Sequence, residues 1–364
     1  MGNFYYALII GFFLNYSYTH SLVDEQASNY KFTIGISLPL TGNLSEYGDA
    51  VQKGIQLAVE EHKEKFKNIR FIFEDDSYKV PLAIRNYQKL AKENKVNLFY
   101  NWGNDTSIAV SKLAEKDKFP ALVACLDPVC SQGKTYVIKL LPDYSVLADS
   151  YLKQKLFRQA KIIKSEVSFF NGQVDHLTST SPNQFEVISS VLPADTDLTP
   201  AALKIKNLTY DRIGIYLFSD QADMFLKTLE NLALKPKIFG TTPLFNQKLI
   251  DQHKELLEGG YIAHFYIDPS FVKKYVHRYS TDVQVVYAGA AYENALLLAD
   301  LFGNLDRQLS KEEIMQIFRD NLALKERNSV NGNYQLQHSD SQGWFLAIPS
   351  TLYVINSGEI KLLN

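Results

Sequence analysis

No Gly-x-Ser-x-Gly nucleophile elbow, no phosphate-cradling Gly-x-x-x-x-Gly-Lys and no His-Glu-x-x-His occurs in this 364-residue sequence. Those absences remove the usual signatures of esterase, P-loop and zinc-protease chemistry. Histidine is sparse too: the seven residues at 20, 62, 176, 253, 264, 277 and 338 are scattered, and none pairs with cysteine at metal spacing. Positive charge is not in excess, because 38 Lys and Arg face 40 Asp and Glu. Without a dense basic run, phosphate-driven nucleic-acid binding has no electrostatic footing. The acidic pairs Glu60-Glu61 and Asp75-Asp76 read as a solvated helix face and a strand end, not as acid–base couples. Taken together, these absences disfavour an enzyme, and no metal and no cofactor are expected.

Cysteine is nearly absent. Cys125 and Cys130 are the only two, and fully extended chain between them would hold their Cα atoms roughly 16 Å apart, beyond bridging distance. They pair only if Asp127-Pro128 makes a turn; a disulfide and two buried thiols both stand as readings. Long apolar runs are also missing. Tyr5 to Leu14 is too short to span a bilayer and is followed by polar residues, so residues 1–22 read as an export signal, with a buried N-terminal segment as the alternative. The short stretch before it has no Lys or Arg, and no small-x-small cleavage site follows it. No other apolar run approaches a membrane span. Export would make a disulfide chemically permissible.

What is present is alternation. Apolar strand-like runs at Phe32 to Leu38, Ile69 to Phe73, Val96 to Tyr100 and Ala121 to Ala124 are separated by segments with apolar residues at helical spacing. The pattern restarts at Tyr136 to Leu140. It continues through strands near 161–169, 185–191, 212–218, 237–239 and 260–264, with only a stub of helix expected in the Ser- and Thr-rich stretch 172–184. Three helices follow, at 271–279, 287–302 and 311–324, the last opening with a Ser310 to Glu313 capping box. The tail reads as strands and turns. Repeated βα units require a mostly parallel sheet covered on both faces, and two runs mean two lobes. The fold class is therefore α/β, with two doubly wound parallel-sheet lobes. In such sheets ligands bind beyond the carboxyl ends of the strands.

The stretch Ile34 to Glu61 carries Pro39, Thr41-Gly42, Tyr47-Gly48 and Gly54 in a pattern that resembles the opening of type I periplasmic solute-binding proteins, most of all the branched-chain amino acid receptors of ABC importers. The similarity runs on in order through Phe73-Glu-Asp-Asp76, Asn101-Trp-Gly103, Phe119-Pro120, Lys139-Leu-Leu-Pro-Asp143, Ile238-Phe-Gly-Thr-Thr242, Ala291-Tyr-Glu293 and the tail from Gly332 to Gly358. The resemblance implies a three-segment hinge with crossings near residues 140, 266 and 330. Residues 30–140 and 267–330 would form the first lobe, and 141–266 and 331–364 the second. It also implies a soluble, monomeric, periplasmic protein that closes on an amino acid or related small polar solute and delivers it to an ABC permease. A ligand-sensing or regulatory module without transport is the alternative, and the sequence does not separate the two.

Candidate ligand-binding residues follow from strand ends. Tyr47 sits at a loop–helix junction, where the resemblance implies an aromatic leaning on the ligand; packing on its own helix is the other reading. Asn104, Asp105 and Thr106 open a helix, a place that suits an anion. The family carries small hydroxyl residues there for a ligand carboxylate, whereas an Asp would repel one. Leu126 and Asp127 occupy the next loop, with Asp127 either meeting an ammonium or capping a turn. In the second lobe Phe170, Ser219, Asp220 and Thr242 lie at expected strand ends. Phe170 and Phe218 read as cleft wall or core, and Asp220 as a helix cap; the resemblance implies an acidic residue of this lobe meeting the ligand amine, with Asp220 nearest by position.

Overall fold

The computed structural model describes residues 30–154, 156–322 and 326–363. The export-signal reading of residues 1–22 lies outside them. The first sheet begins with β1 (Phe32–Leu38), β2 (Ile69–Asp75), β3 (Leu98–Trp102), β4 (Ala121–Ala124) and β5 (Val137–Lys139), all parallel in the spatial order β2-β1-β3-β4-β5. Helices α1 (Ser45–Glu61), α2 (Val80–Gln88, continued by a π-turn) and α3 (Asn104–Lys116) connect them. With helices on both faces, β1 and β3 are apolar almost throughout rather than alternating.

The second lobe repeats the plan through α4 (Ser145–Gln154), β6 (Ala160–Ser165), α5 (Ser168–Thr180), β7 (Phe185–Val191), α6 (Thr199–Ile205), β8 (Arg212–Tyr216), α7 (Ser219–Asn231), β9 (Ile238–Gly240), α8 (Gln247–Gln252) and β10 (Tyr261–Phe265). Its parallel core runs β7-β6-β8-β9-β10. The chain then returns to the first lobe with α9 (Pro269–Tyr279), α10 (Val285–Phe302) and α11 (Lys311–Leu322). The capping box that opens α11 is reciprocal: Ser310 N–H donates to Glu313, and Glu313 N–H to the Ser310 hydroxyl. Gly54 lets α1 and α10 meet backbone to backbone, since a Cβ there would stand 2.1 Å from the Ala288 carbonyl oxygen. Among the described residues α10 alone is long and apolar enough to cross a membrane, but most of it is buried in this lobe. It is a core helix, and its apolar length exceeds what the sequence reading allowed for any segment after the first.

Two expectations are corrected. Residues 168–180 form a full helix rather than a stub, so β6 stops at Ser165 and Phe169 to Gly172 lie in the first turns of α5 instead of at a strand end. The tail also divides differently. Strands β11 (Gln335–Ser339) and β12 (Gly343–Ala347) belong to the first sheet, β12 pairing parallel with β5 through Phe345 and Lys139. Only β13 (Ser350–Asn356) and β14 (Glu359–Leu362) join the second. The last passage between lobes thus falls between Ala347 and Ser350, not near residue 330. Alternation specifies a strand; it does not say which of two sheets has an open edge to receive it.

The three passages lie side by side. The first and third leave the paired strands β5 and β12, and the Ser350 hydroxyl donates to the Val146 carbonyl (2.6 Å); the second meets the third where Tyr266 N–H donates to the Pro349 carbonyl (3.1 Å) and the Tyr353 hydroxyl bridges Ile267 N–H and the Phe265 carbonyl.

Candidate functional site

The carboxyl ends of both parallel sheets face one another, and the loops that follow β1, β2, β3, β4, β6 and β8 converge between the lobes. They enclose a chamber lined by Leu44, Tyr47, Tyr78, Trp102, Gly103, Asn104, Ala124, Leu126 and Tyr287 from the first lobe, Leu141 from the first passage, and Val167, Phe169 and Phe218 from the second lobe. The space between the walls, its mouth to solvent included, amounts to about 490 Å³, a size that suits a small molecule.

Six of the thirteen lining residues are aromatic. Tyr47, Trp102 and Tyr287 pack mutually, with centroids 5.1, 5.6 and 5.8 Å apart. Opposite them stand Phe169 and Phe218, both leaning on Phe170, which is fully buried in the second-lobe core. None of the lining residues is Asp, Glu, Lys, Arg or His. Burial pushes the Tyr47 phenol well above its ordinary value, with Glu46 and Tyr287 adding to the rise. Burial likewise pushes Tyr287 up to about 12. Behind Tyr287, His264 is buried and held down to about 3 by desolvation. All three groups are neutral at physiological pH, so the chamber has no net charge of its own.

Two hydrogen-bond donors in the chamber lining have no partner. Asn104 Oδ1 accepts from Leu126 N–H at 2.9 Å, which fixes the amide orientation and leaves Nδ2 unpaired. Trp102 Nε1 is also buried and unpaired. A buried donor without an acceptor costs on the order of 1–3 kcal/mol, so each is a place where a ligand acceptor would be stabilised.

The turn after β2 places a side chain that sequence reasoning missed. Ser77 and Tyr78 both have left-handed backbones, at φ 47° and 56°. Asp75 Oδ1 accepts from Ser77 N–H (2.8 Å), and Asp76 Oδ1 accepts from Tyr78 N–H (2.9 Å). These Asx contacts hold an otherwise costly conformation. The Tyr78 ring lies directly over Gly103, where a Cβ would come within 2.3 Å of it; Gly103 itself sits at φ 101°. The amides of Asn104 and Asp105, in the first turn of α3, are directed at the Tyr78 hydroxyl oxygen, though burial and the Asp105 charge still raise its pKa overall. The chain's own phenol thus covers the end of α3 that the resemblance reserves for a ligand carboxylate.

Hydrogen bonds latch the rim across the lobes. The Ser168 hydroxyl donates to Asp105 Oδ1 and the Ser219 hydroxyl to Glu46 Oε1, both at 2.9 Å. Gln284 Nε2 holds the same Glu46 oxygen from the first lobe at 3.0 Å. Outside lies a wider polar groove containing Thr41, Asn43, Lys79 and Asp220, which shares Leu44, Tyr78, Val167 and Phe218 with the chamber. Those four side chains are the partition between groove and chamber.

The candidates named from sequence fall in several places. Tyr47, Asn104 and Leu126 line the chamber, and Asp105 and Asp220 line the outer groove. Asp220 is exposed and accepts from Gln221 N–H. Ser219 is at the latch. Thr106 is buried and donates to the Trp102 carbonyl at 2.9 Å. Asp127 caps a turn by accepting from Val129 N–H at 2.9 Å. That turn brings Cys125 and Cys130 to a Cα separation of 6.6 Å, and the two sulfurs are bonded. Phe170 is core, and Thr242 is buried beside Tyr287. Beyond Tyr78, Tyr287 is an aromatic wall residue that was not foreseen, whereas Phe169 was expected at a cleft wall, though from a strand end rather than a helix. Nothing local marks Tyr287, whose role depends on α10 returning to the first lobe.

The periplasmic binding protein family model matches residues 31–343, and the chain belongs to that family. Relatives and fold alike are those of solute-binding proteins, which are not enzymes. The chain is 23% identical over 239 residues to the Leu/Ile/Val-binding protein BraC3 of Rhizobium johnstonii, a match spanning 62% of this chain and 65% of that protein. Among solved structures it is similar to the branched-chain amino acid binding protein LivJ of Streptococcus pneumoniae in complex with isoleucine, with 19% identity, a TM-score of 0.76 and coverage of 92% of this chain and 99% of that one. It is equally similar to an ABC transporter solute-binding protein of R. palustris in complex with benzoate, with 17% identity, a TM-score of 0.76 and coverage of 92% and 95%. At these identities the structural likeness establishes the fold.

Proposed function

We propose that the chain captures a small solute outside the cytoplasm by closing two lobes around it, and presents the closed form to an ABC permease. The observation that carries this reading is the chamber itself: both lobes wall it, and Asp105–Ser168 and Glu46–Ser219 latch it across the gap. A solute entering the open form meets the wall of Tyr47, Trp102 and Asn104 first. Closure then adds Phe169 and Phe218 together with the latch. A solute favours the closed state only through interactions that the open state lacks. Micromolar affinity requires roughly −8 kcal/mol, within reach of a few hydrogen bonds and desolvated aromatic cover. Export to the periplasm and a monomeric working state belong to the same reading, through the resemblance of the whole ordered motif set.

The test uses tryptophan emission. Trp102 and Trp344 are the only tryptophans, so Trp344→Phe leaves a single reporter in the chamber wall. A library of small solutes is expected to contain compounds that change its emission saturably and raise the melting temperature. A library that moves neither would contradict the reading.

A further inference from the structure

The chamber's chemistry narrows the solute, on the footing of the proposed solute capture. We infer that it takes an uncharged ring compound bearing a hydrogen-bond acceptor, and refuses the zwitterion of an amino acid.

Three independent observations converge. The chamber lining contains no ionisable acid or base other than tyrosine, so neither end of a zwitterion meets an opposite charge inside. The rim carboxylates Glu46 and Asp105 are each already engaged by a serine of the second lobe, and Lys79 lies in the outer groove rather than in the chamber lining. A ligand carboxylate inside would be desolvated with no cation in the lining to pair with it, which buried charge does not tolerate.

The end of α3, the natural anion seat, is already filled. Tyr78 is pinned over Gly103 by a strained turn that Asp75 and Asp76 hold, and its hydroxyl faces the first amides of the helix. A ligand carboxylate reaches those amides only by displacing a side chain of the protein itself.

The free polar groups in the lining are donors. Trp102 and Asn104 are 8% and 5% exposed, and their Nε1 and Nδ2 have no partner. Two buried donors call for an acceptor such as a carbonyl oxygen. They also weigh against a quaternary ammonium, the guest for which a cage of aromatic rings is otherwise suited. Aromatic rings from both lobes, Tyr47, Trp102 and Tyr287 on one side and Phe169 and Phe218 on the other, complete the fit for a ring compound.

Isothermal titration of the full chain compares benzamide, benzoate, isoleucine and choline. Benzamide is expected to bind at least tenfold more tightly than each of the others. Trp102→Phe keeps an aromatic ring in the wall and removes the Nε1 donor; it is expected to weaken benzamide at least tenfold with the melting temperature changed little. Tyr78→Gly accepts the left-handed backbone and vacates the helix end; it is expected to strengthen benzoate at least tenfold. Preference of the native chain for benzoate, isoleucine or choline overturns the inference and leaves solute capture standing. So does a library whose only Trp102 responses come from charged solutes. Silence of Trp102 toward every solute overturns both.

Discussion

His264 shows how the aromatic surroundings of the chamber act on a single residue. Its ring lies 5.2 Å from that of Phe245 and 5.6 Å from that of Tyr287, and Nδ1 accepts from Phe265 N–H. Desolvation alone holds its pKa down to about 3, so the folded chain refuses a proton that the unfolded chain binds near 6.5. Between those values the unfolded state carries more protons, and stability falls as the pH drops, at up to about 1.4 kcal/mol per pH unit. His264→Gln is expected to lose that part of the slope between pH 6.5 and 5, measured by urea unfolding at several pH values. An unchanged slope would contradict the assignment. The placement of single residues was only partly legible in the sequence. Tyr47 and Asn104 lie where a loop–helix junction puts them, whereas Tyr78 depends on a turn made by two consecutive left-handed residues, which no local rule announces for Ser-Tyr.

At the scale of elements, the starts of α3, α5 and α7 hold the rim. Asp105, Ser168 and Ser219 stand in the first turns of those helices, so the proposed closure brings them to the rim together. Each latch is partly exposed, and its worth is discounted accordingly to about 1 kcal/mol. Ser168→Ala and Ser219→Ala are each expected to weaken solute affinity about fivefold, chiefly through faster release, in stopped-flow measurements of Trp102 emission. Equal release rates in native and variant chains would remove the latch from the mechanism. The elements themselves were largely readable, because helical spacing and apolar runs are local. The exception is α5: Ser, Thr and Gly in residues 172–184 lower helix propensity, yet Phe170, Val174 and Leu177 bury one face in the second-lobe core, and packing overrides propensity.

For the whole molecule, the alternation of strand and helix foretold two parallel-sheet lobes because a βα repeat has few other ways to cover its sheet. The division of the tail was not foretold. Whether β11 and β12 complete the first sheet depends on β5 offering a free edge at Lys139, a long-range fact absent from the tail's own pattern. The same geometry joins the lobes at three adjacent passages, and the chamber has walls from both.

Small-angle X-ray scattering of the chain, alone and saturated with a solute that shifts Trp102 emission, tests the proposed closure directly. The radius of gyration is expected to fall on binding to the value of the closed, latched form. A solute that binds at Trp102 while the scattering profile stays unchanged would mean that the lobes do not close around it.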